Sequence, residues 1–85
     1  VENRLAACVQ IIPSITSIYR WQGAVEQGDE IHCTIKTVRT HYASVEAEIR
    51  RLHSYDEPEI LAVPVVAGSQ SYVQWVRNEV QISPA

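Results

Sequence analysis

The residues with the most chemical potential in this chain lie in one stretch, RRLHSYDEPEILAVPV, residues 51–66. It places His53, Tyr55, Asp56, Glu57 and Glu59 between two apolar runs. An imidazole beside carboxylates can ligate a metal ion or form an acid–base pair. The same residues also suit the polar end of a helix turning into a buried strand. His41 and His53 bracket a segment of helical periodicity, and their spacing along a helix is about 18 Å at 1.5 Å per residue. Metal–nitrogen bonds are about 2 Å, so these two cannot share a metal within one chain, and a three-histidine intrachain site is excluded. His32 falls on the polar face of an alternating segment. The cluster at His53 reads either as a solvated turn or as a site that gains a ligand when another chain closes over it.

The other reactive groups give less. Cys8 and Cys33 are separated in sequence with no Cys-x-x-Cys pair, a pattern that fits small buried hydrophobes better than zinc or redox chemistry. If the hairpin turn pairs Trp21 near Glu30, Cys33 faces Ile18, far beyond the ~6 Å that a disulfide tolerates. Reduced thiols suit a cytoplasmic protein. No nucleophile motif, His-Glu-x-x-His pair, phosphate loop or dinucleotide fingerprint is present, so no enzymatic activity is expected.

The elements that must position these groups follow from the hydropathy pattern. Eighty-five residues with 46% apolar and 20% charged content form one small domain with a folded core. Seven Lys plus Arg against ten Asp plus Glu give a net charge of −3, which argues against a nucleic-acid partner. The longest apolar run is well short of the roughly 18 residues of a membrane span, and no signal-peptide pattern is visible. There is no methionine, and VENRLAACV reads as a helix tail entering a strand, so the domain of residues 1–85 is expected to be incomplete at its N-terminus.

Residues 1–7 are predicted helical, Cys8–Ile12 a strand broken at Pro13, and Ile15–Trp21 its continuation. Gly23 and Gly28-Asp29 bracket a hairpin connection. In Glu30–Val38, Ile31, Cys33 and Ile35 share one face, and His32, Thr34 and Lys36 the other. Thr40 is a candidate N-cap. Tyr42, Val45, Ile49 and Leu52 then follow at helical spacing, with Glu46 and Arg50 as an i,i+4 pair. Pro58 blocks continuation of that helix. The run EILAVPVV, residues 59–66, is predicted to be a buried strand. Ser71-x-x-Gln74 reads as a capping box opening a second helix with Tyr72, Trp75, Val76 and Glu79 on one face, and a short strand is placed at Val80–Ile82. One strand set before the helix tail makes this the ferredoxin-like order β-α-β-β-α-β.

The stretches RLAACVQIIPSITSIYRWQG, IKT, RRLHSYDEPEILAVPV and YVQWV, in this order and spacing from Arg4 to Val76, resemble the CutA divalent-ion-tolerance family. The resemblance implies an α+β ferredoxin-like fold (β-α-β-β-α-β plus a C-terminal helix, antiparallel sheet) assembled as a homotrimer. It implies a role in tolerance to copper and other divalent ions, and that the first strand and most of the first helix are absent from this chain. Where the family reads HPYEVPEI, this chain reads HSYDEPEI; Tyr55, Pro58 and Glu59 match. Copper ligands proposed for the family are a cysteine on the first strand and two adjacent histidines at this corner. Only His53 carries over, because Leu52 stands at the other histidine's position. The implied partners are divalent cations, with copper(II) or another divalent cation bound weakly and no obligatory cofactor. Tyr55, Glu57, Glu59, Lys36 and Trp21 are further candidates for donors or for a cleft between subunits. Two other roles fit the family resemblance: an effector-sensing trimer like the nitrogen-signalling proteins, and a structural trimer that supports partner proteins. Tyr19 and Trp21 lie on a hairpin long enough to outrun an 85-residue core, and are expected to reach a neighbouring subunit.

Overall fold

The computed structural model describes residues 1–80. Its dominant element is an antiparallel hairpin of β1 (Cys8–Trp21) and β2 (Ala24–Lys36). The connection is shorter than the glycine pattern suggests. Trp21 pairs with Ala24, and Gln22 and Gly23 form a two-residue turn with φ of 50° and 83°. Positive φ at both central positions is the turn whose twist matches that of the flanking strands. The expected pairing of Trp21 near Glu30 is therefore corrected: Gly28 and Asp29 lie inside β2, opposite Ser17 and Thr16. Cys33 faces Ile11 rather than Ile18, and Cys8 faces Lys36. Three residues of strand, about 10 Å, still separate the thiols, and both are free.

Pro13 does not break the strand. Ile12 pairs with His32 and Ile15 with Glu30, so Pro13 and Ser14 together oppose Ile31. This is a β-bulge, which suits a residue with no amide hydrogen to give to the ladder. Away from it the alternation holds. Val9 pairs with Ile35 beneath the helix, while Gln10 pairs with Thr34 on the polar face, where Lys36 Nζ donates to Gln10 Oε1 at 2.9 Å.

A 3-10 turn at Arg39–His41 leads into α1 (Tyr42–Leu52). Thr40 lies inside that turn rather than capping the helix; the N-cap is His41, with no side-chain bond. Val45 is buried against the sheet, while Leu52 is mostly exposed. The predicted Glu46–Arg50 pair forms at 3.5 Å. The second helix, α2 (Gln70–Glu79), begins two residues earlier than expected. Ser69, not Ser71, is its N-cap and accepts the Tyr72 amide at 3.4 Å. The rest of the predicted strand at Val80–Ile82 lies outside the described residues. Val80 itself is the C-cap of α2 and is almost fully buried.

Residues 1–7 are not helical but form turns, with Arg4 at φ 61°. That turn aims the Arg4 guanidinium at the end of α2. Its Nε and Nη2 donate to the carbonyls of Glu79 and Asn78, each at 2.9 Å. A cation thus satisfies carbonyls that a helix C-terminus leaves without partners. Residues 59–66 form no ladder, so the predicted buried strand is corrected as well. Leu61 is 81% and Val66 95% exposed. A strand is defined by the backbone groups of a neighbour, and no neighbour lies beside this run among the described residues.

Among the described residues, Ala6, Ala7, Val45 and Val80 form the buried hydrophobic core. The hairpin extends the molecule to 47 Å in its longest dimension, against 28 and 21 Å in the others. No helix among the described residues is long and apolar enough to cross a membrane.

Candidate functional site at the His53 corner

The corner is built by the end of α1. His53 takes an extended conformation (φ −77°, ψ 143°) while its amide still donates to Ile49 O at 2.8 Å, closing the last helical turn. Arg50 reaches from the helix to both sides of that turn, with its guanidinium 3.5 Å from Glu46 Oε1 and 3.6 Å from Glu57 Oε1. The segment between His53 and the buried Pro58 is thereby tied back to the helix it leaves.

His53 folds over its own chain. The Tyr55 amide donates to His53 Nδ1 at 3.0 Å, and the two rings meet edge to face with centroids 4.7 Å apart. A backbone N–H can only donate, so Nδ1 must carry the lone pair, and the neutral ring holds its proton on Nε2. Beyond the imidazole lies an open hollow of about 390 Å³. Its far wall is the β1 bulge at Pro13 and the segment Asp29-Glu30-Ile31 of β2; its near wall is His53, Ser54 and Tyr55.

The sequence candidates are distributed as follows. His53 and Tyr55 share the hollow. Glu57 is close by but engaged with Arg50. Glu59 is exposed past Pro58. Lys36 and Trp21 stand at opposite ends of β2 and β1. Each is six residues along the ladder from the Ile15–Glu30 pair, about 20 Å at 3.4 Å per residue, so neither joins His53 within one chain. Sequence reasoning missed Asp29 and Glu30, whose segment of β2 lines the hollow opposite His53. Finding them needed the register, and the signal for it was Pro13, whose place in a strand asks for a bulge at that level.

An imidazole and carboxylates are suitable donors for a borderline divalent cation. Their arrangement is not a preformed site: among the described residues, no three His, Cys, Asp or Glu side chains converge as a metal-binding group. The one lone pair of His53 is also already occupied. The chemistry of the donors fits a cation, and their geometry fits only a weakly held one.

A family model, described as CutA1 divalent ion tolerance protein, matches residues 1–79. The chain belongs to the CutA1 family. Its curated relatives include the divalent-cation tolerance protein CutA of Thermus thermophilus, 44% identical over 78 residues that cover 92% of this chain and 76% of that protein. Human protein CutA is 46% identical over 78 residues, again 92% of this chain but 44% of that protein. The chain thus spans under half the length of the human relative. In three dimensions the chain is similar to the solved CutA1 of Thermus thermophilus, with a TM-score of 0.90 at 43% identity, covering 93% of this chain and 77% of that one. It is equally similar to a structure from Archaeoglobus fulgidus described as a periplasmic divalent cation tolerance protein, with a TM-score of 0.90 at 35% identity over 94% of this chain and 78% of that one. The mixed α/β architecture with an antiparallel sheet and two helices is thus that of CutA1 proteins.

Proposed function

We propose that this protein serves tolerance to divalent cations as a homotrimer, holding copper(II) or another divalent cation weakly at the His53 corner. The observation that carries the cation reading is the shared hollow, lined by the imidazole of His53 on one side and by the acidic Asp29-Glu30 segment of β2 on the other. Neither carboxylate is in an ion pair with another part of the chain among the described residues. A cation entering there meets suitable donors but no closed coordination shell, and a neighbouring subunit supplies the remainder.

The same assembly accounts for the exposed apolar surface. Trp21 and Tyr19 stand on the distal half of the hairpin, about half exposed, where aromatic side chains suit an interface. Residues 59–66 join a ladder once a further strand lies beside them, which gives the ferredoxin-like order.

Calorimetric titration of the protein with copper(II) tests this. Weak binding is expected, reduced about tenfold or more in His53→Ala, a loss of about 1.4 kcal/mol. Because an imidazole must be neutral to ligate, binding is expected to weaken in acid. Equal affinity in both proteins would leave the corner with a structural role only.

A further inference from the structure

We infer that Arg4 is a latch holding α2 on the rest of the fold, and that α2 opens as a unit when the latch lets go, while the hairpin stays folded. The turn before β1 is built as a junction. The Ala7 amide donates to Lys36 O at 2.9 Å, and the Thr37 hydroxyl donates to Leu5 O at 2.6 Å, so residues 5–7 are pinned to the end of β2. The Arg4 amide donates to Val1 O at 2.9 Å, and Arg4 itself takes the left-handed conformation, φ 61°. That conformation is costly for a residue with a side chain. The return comes at the other end of the side chain, where the guanidinium forks onto the Asn78 and Glu79 carbonyls. One residue thus joins the base of the hairpin to the end of α2.

Little else holds α2. Among the described residues, every side-chain hydrogen bond or ion pair between α2 and a distant part of the chain comes from Arg4. No residue within α2 is buried. Val73 and Val76 are half-buried and the C-cap Val80 is buried, so the apolar grip tightens toward the latched end. Tyr72 and Trp75 lean on each other with ring centroids 5.6 Å apart and stay exposed. Residues 59–66, which lead to α2, form no ladder that could fix its other end. The hairpin, in contrast, is paired along its length. An element with little buried apolar surface opens before one held by a ladder. Glu79 Oε2 also lies 4.0 Å from the Arg4 guanidinium, with both side chains about half exposed, and such a pair contributes little. The two carbonyl bonds carry the latch, because a charged donor there meets unpaired acceptors at the negative end of a helix.

The test is residue-resolved amide hydrogen exchange on the whole protein and four variants. In Arg4→Ala, the amides from Val73 to Val80 are expected to exchange roughly tenfold faster or more, with the hairpin amides changed by no more than about twofold. Arg4→Lys keeps the charge but not the planar fork, and is expected to fall between Arg4→Ala and the parent. Arg4→Gly relieves the left-handed backbone while removing the guanidinium, and is expected to open α2 as Arg4→Ala does. Glu79→Gln removes the ion pair and spares both carbonyl bonds, so α2 is expected to stay protected. Unchanged exchange in α2 of Arg4→Ala would overturn the latch. Hairpin amides that accelerate as much as those of α2 would show one cooperative unit and overturn it as well. Protection retained in Arg4→Gly would assign the effect to the turn, and loss of protection in Glu79→Gln would assign it to the ion pair; either result contradicts a latch made by the guanidinium on the two carbonyls.

Discussion

His53 is a turn-former in the structure, although its residue type would equally suit a ligand. Its spacing from carboxylates suggests a ligand, and its contact with Tyr55 makes it a turn-former. A side chain that bonds the backbone two residues on is a familiar way to end a helix in an extended corner. Sequence alone left both readings open, because tautomer and lone-pair direction depend on where the next amide points. A quieter residue-scale effect operates one turn back on α1. Arg51 donates hydrogen bonds to the Glu48 carboxylate, which holds the Glu48 carboxyl below the usual carboxylate range and raises the Arg51 guanidinium. A carboxyl lowered in the folded state means that the unfolded chain binds more protons in acid. The contribution is therefore present above the unfolded carboxyl's range and lost as pH falls through the lowered folded value. Both groups face solvent, so the effect is small and weakened by salt. Arg51→Ala is expected to return the Glu48 titration, followed by carboxyl carbon NMR, to the ordinary range; an unchanged titration would show that the pair does not persist in solution.

At the scale of elements, the hairpin and both helices were legible because each carries its own periodicity. The alternation of Ile31, Cys33 and Ile35 marks β2, and Val45 and Ile49 mark the inner face of α1. The details that failed each depended on information the local pattern does not hold. The turn was misplaced because Gly28-Asp29 is as good a turn pair as Gln22-Gly23, and only the pairing of Trp21 with Ala24 decides between them. The helix caps moved because Ser69 and Ser71 carry the same chemistry two residues apart. Residues 59–66 have the composition of a buried strand, but composition does not supply the neighbouring backbone. Asp29 and Glu30 were missed at the site for the same reason as the turn, since only the register brings their segment to the hollow beside His53. The turn itself gives a prediction. Gly23 at φ 83° sits where a side chain is strained, so Gly23→Ala is expected to destabilise the hairpin by about 1–2 kcal/mol. Urea unfolding at fixed protein concentration measures it, and a loss under a few tenths of a kcal/mol would contradict the two-residue turn.

The described residues form an arm and a pair of helices around a small core that includes Ala6, Ala7, Val45 and Val80. A globule of 85 residues has an expected radius of gyration of about 12 Å, whereas this chain has 15.3 Å. The excess lies in the hairpin. Large apolar side chains from Ile11 to Val66 face outward, and surface of this extent marks interaction rather than solvent contact. The proposed homotrimer would cover it and would place Trp21 and Tyr19 against a neighbour. The proposed function rests on that assembly more than on any one ligand. Multi-angle light scattering of the protein at low micromolar concentration, beside Trp21→Ala, tests it most directly. A mass of three chains is expected, with a shift toward smaller species in the variant; a protein that stays folded at the mass of one chain would contradict it.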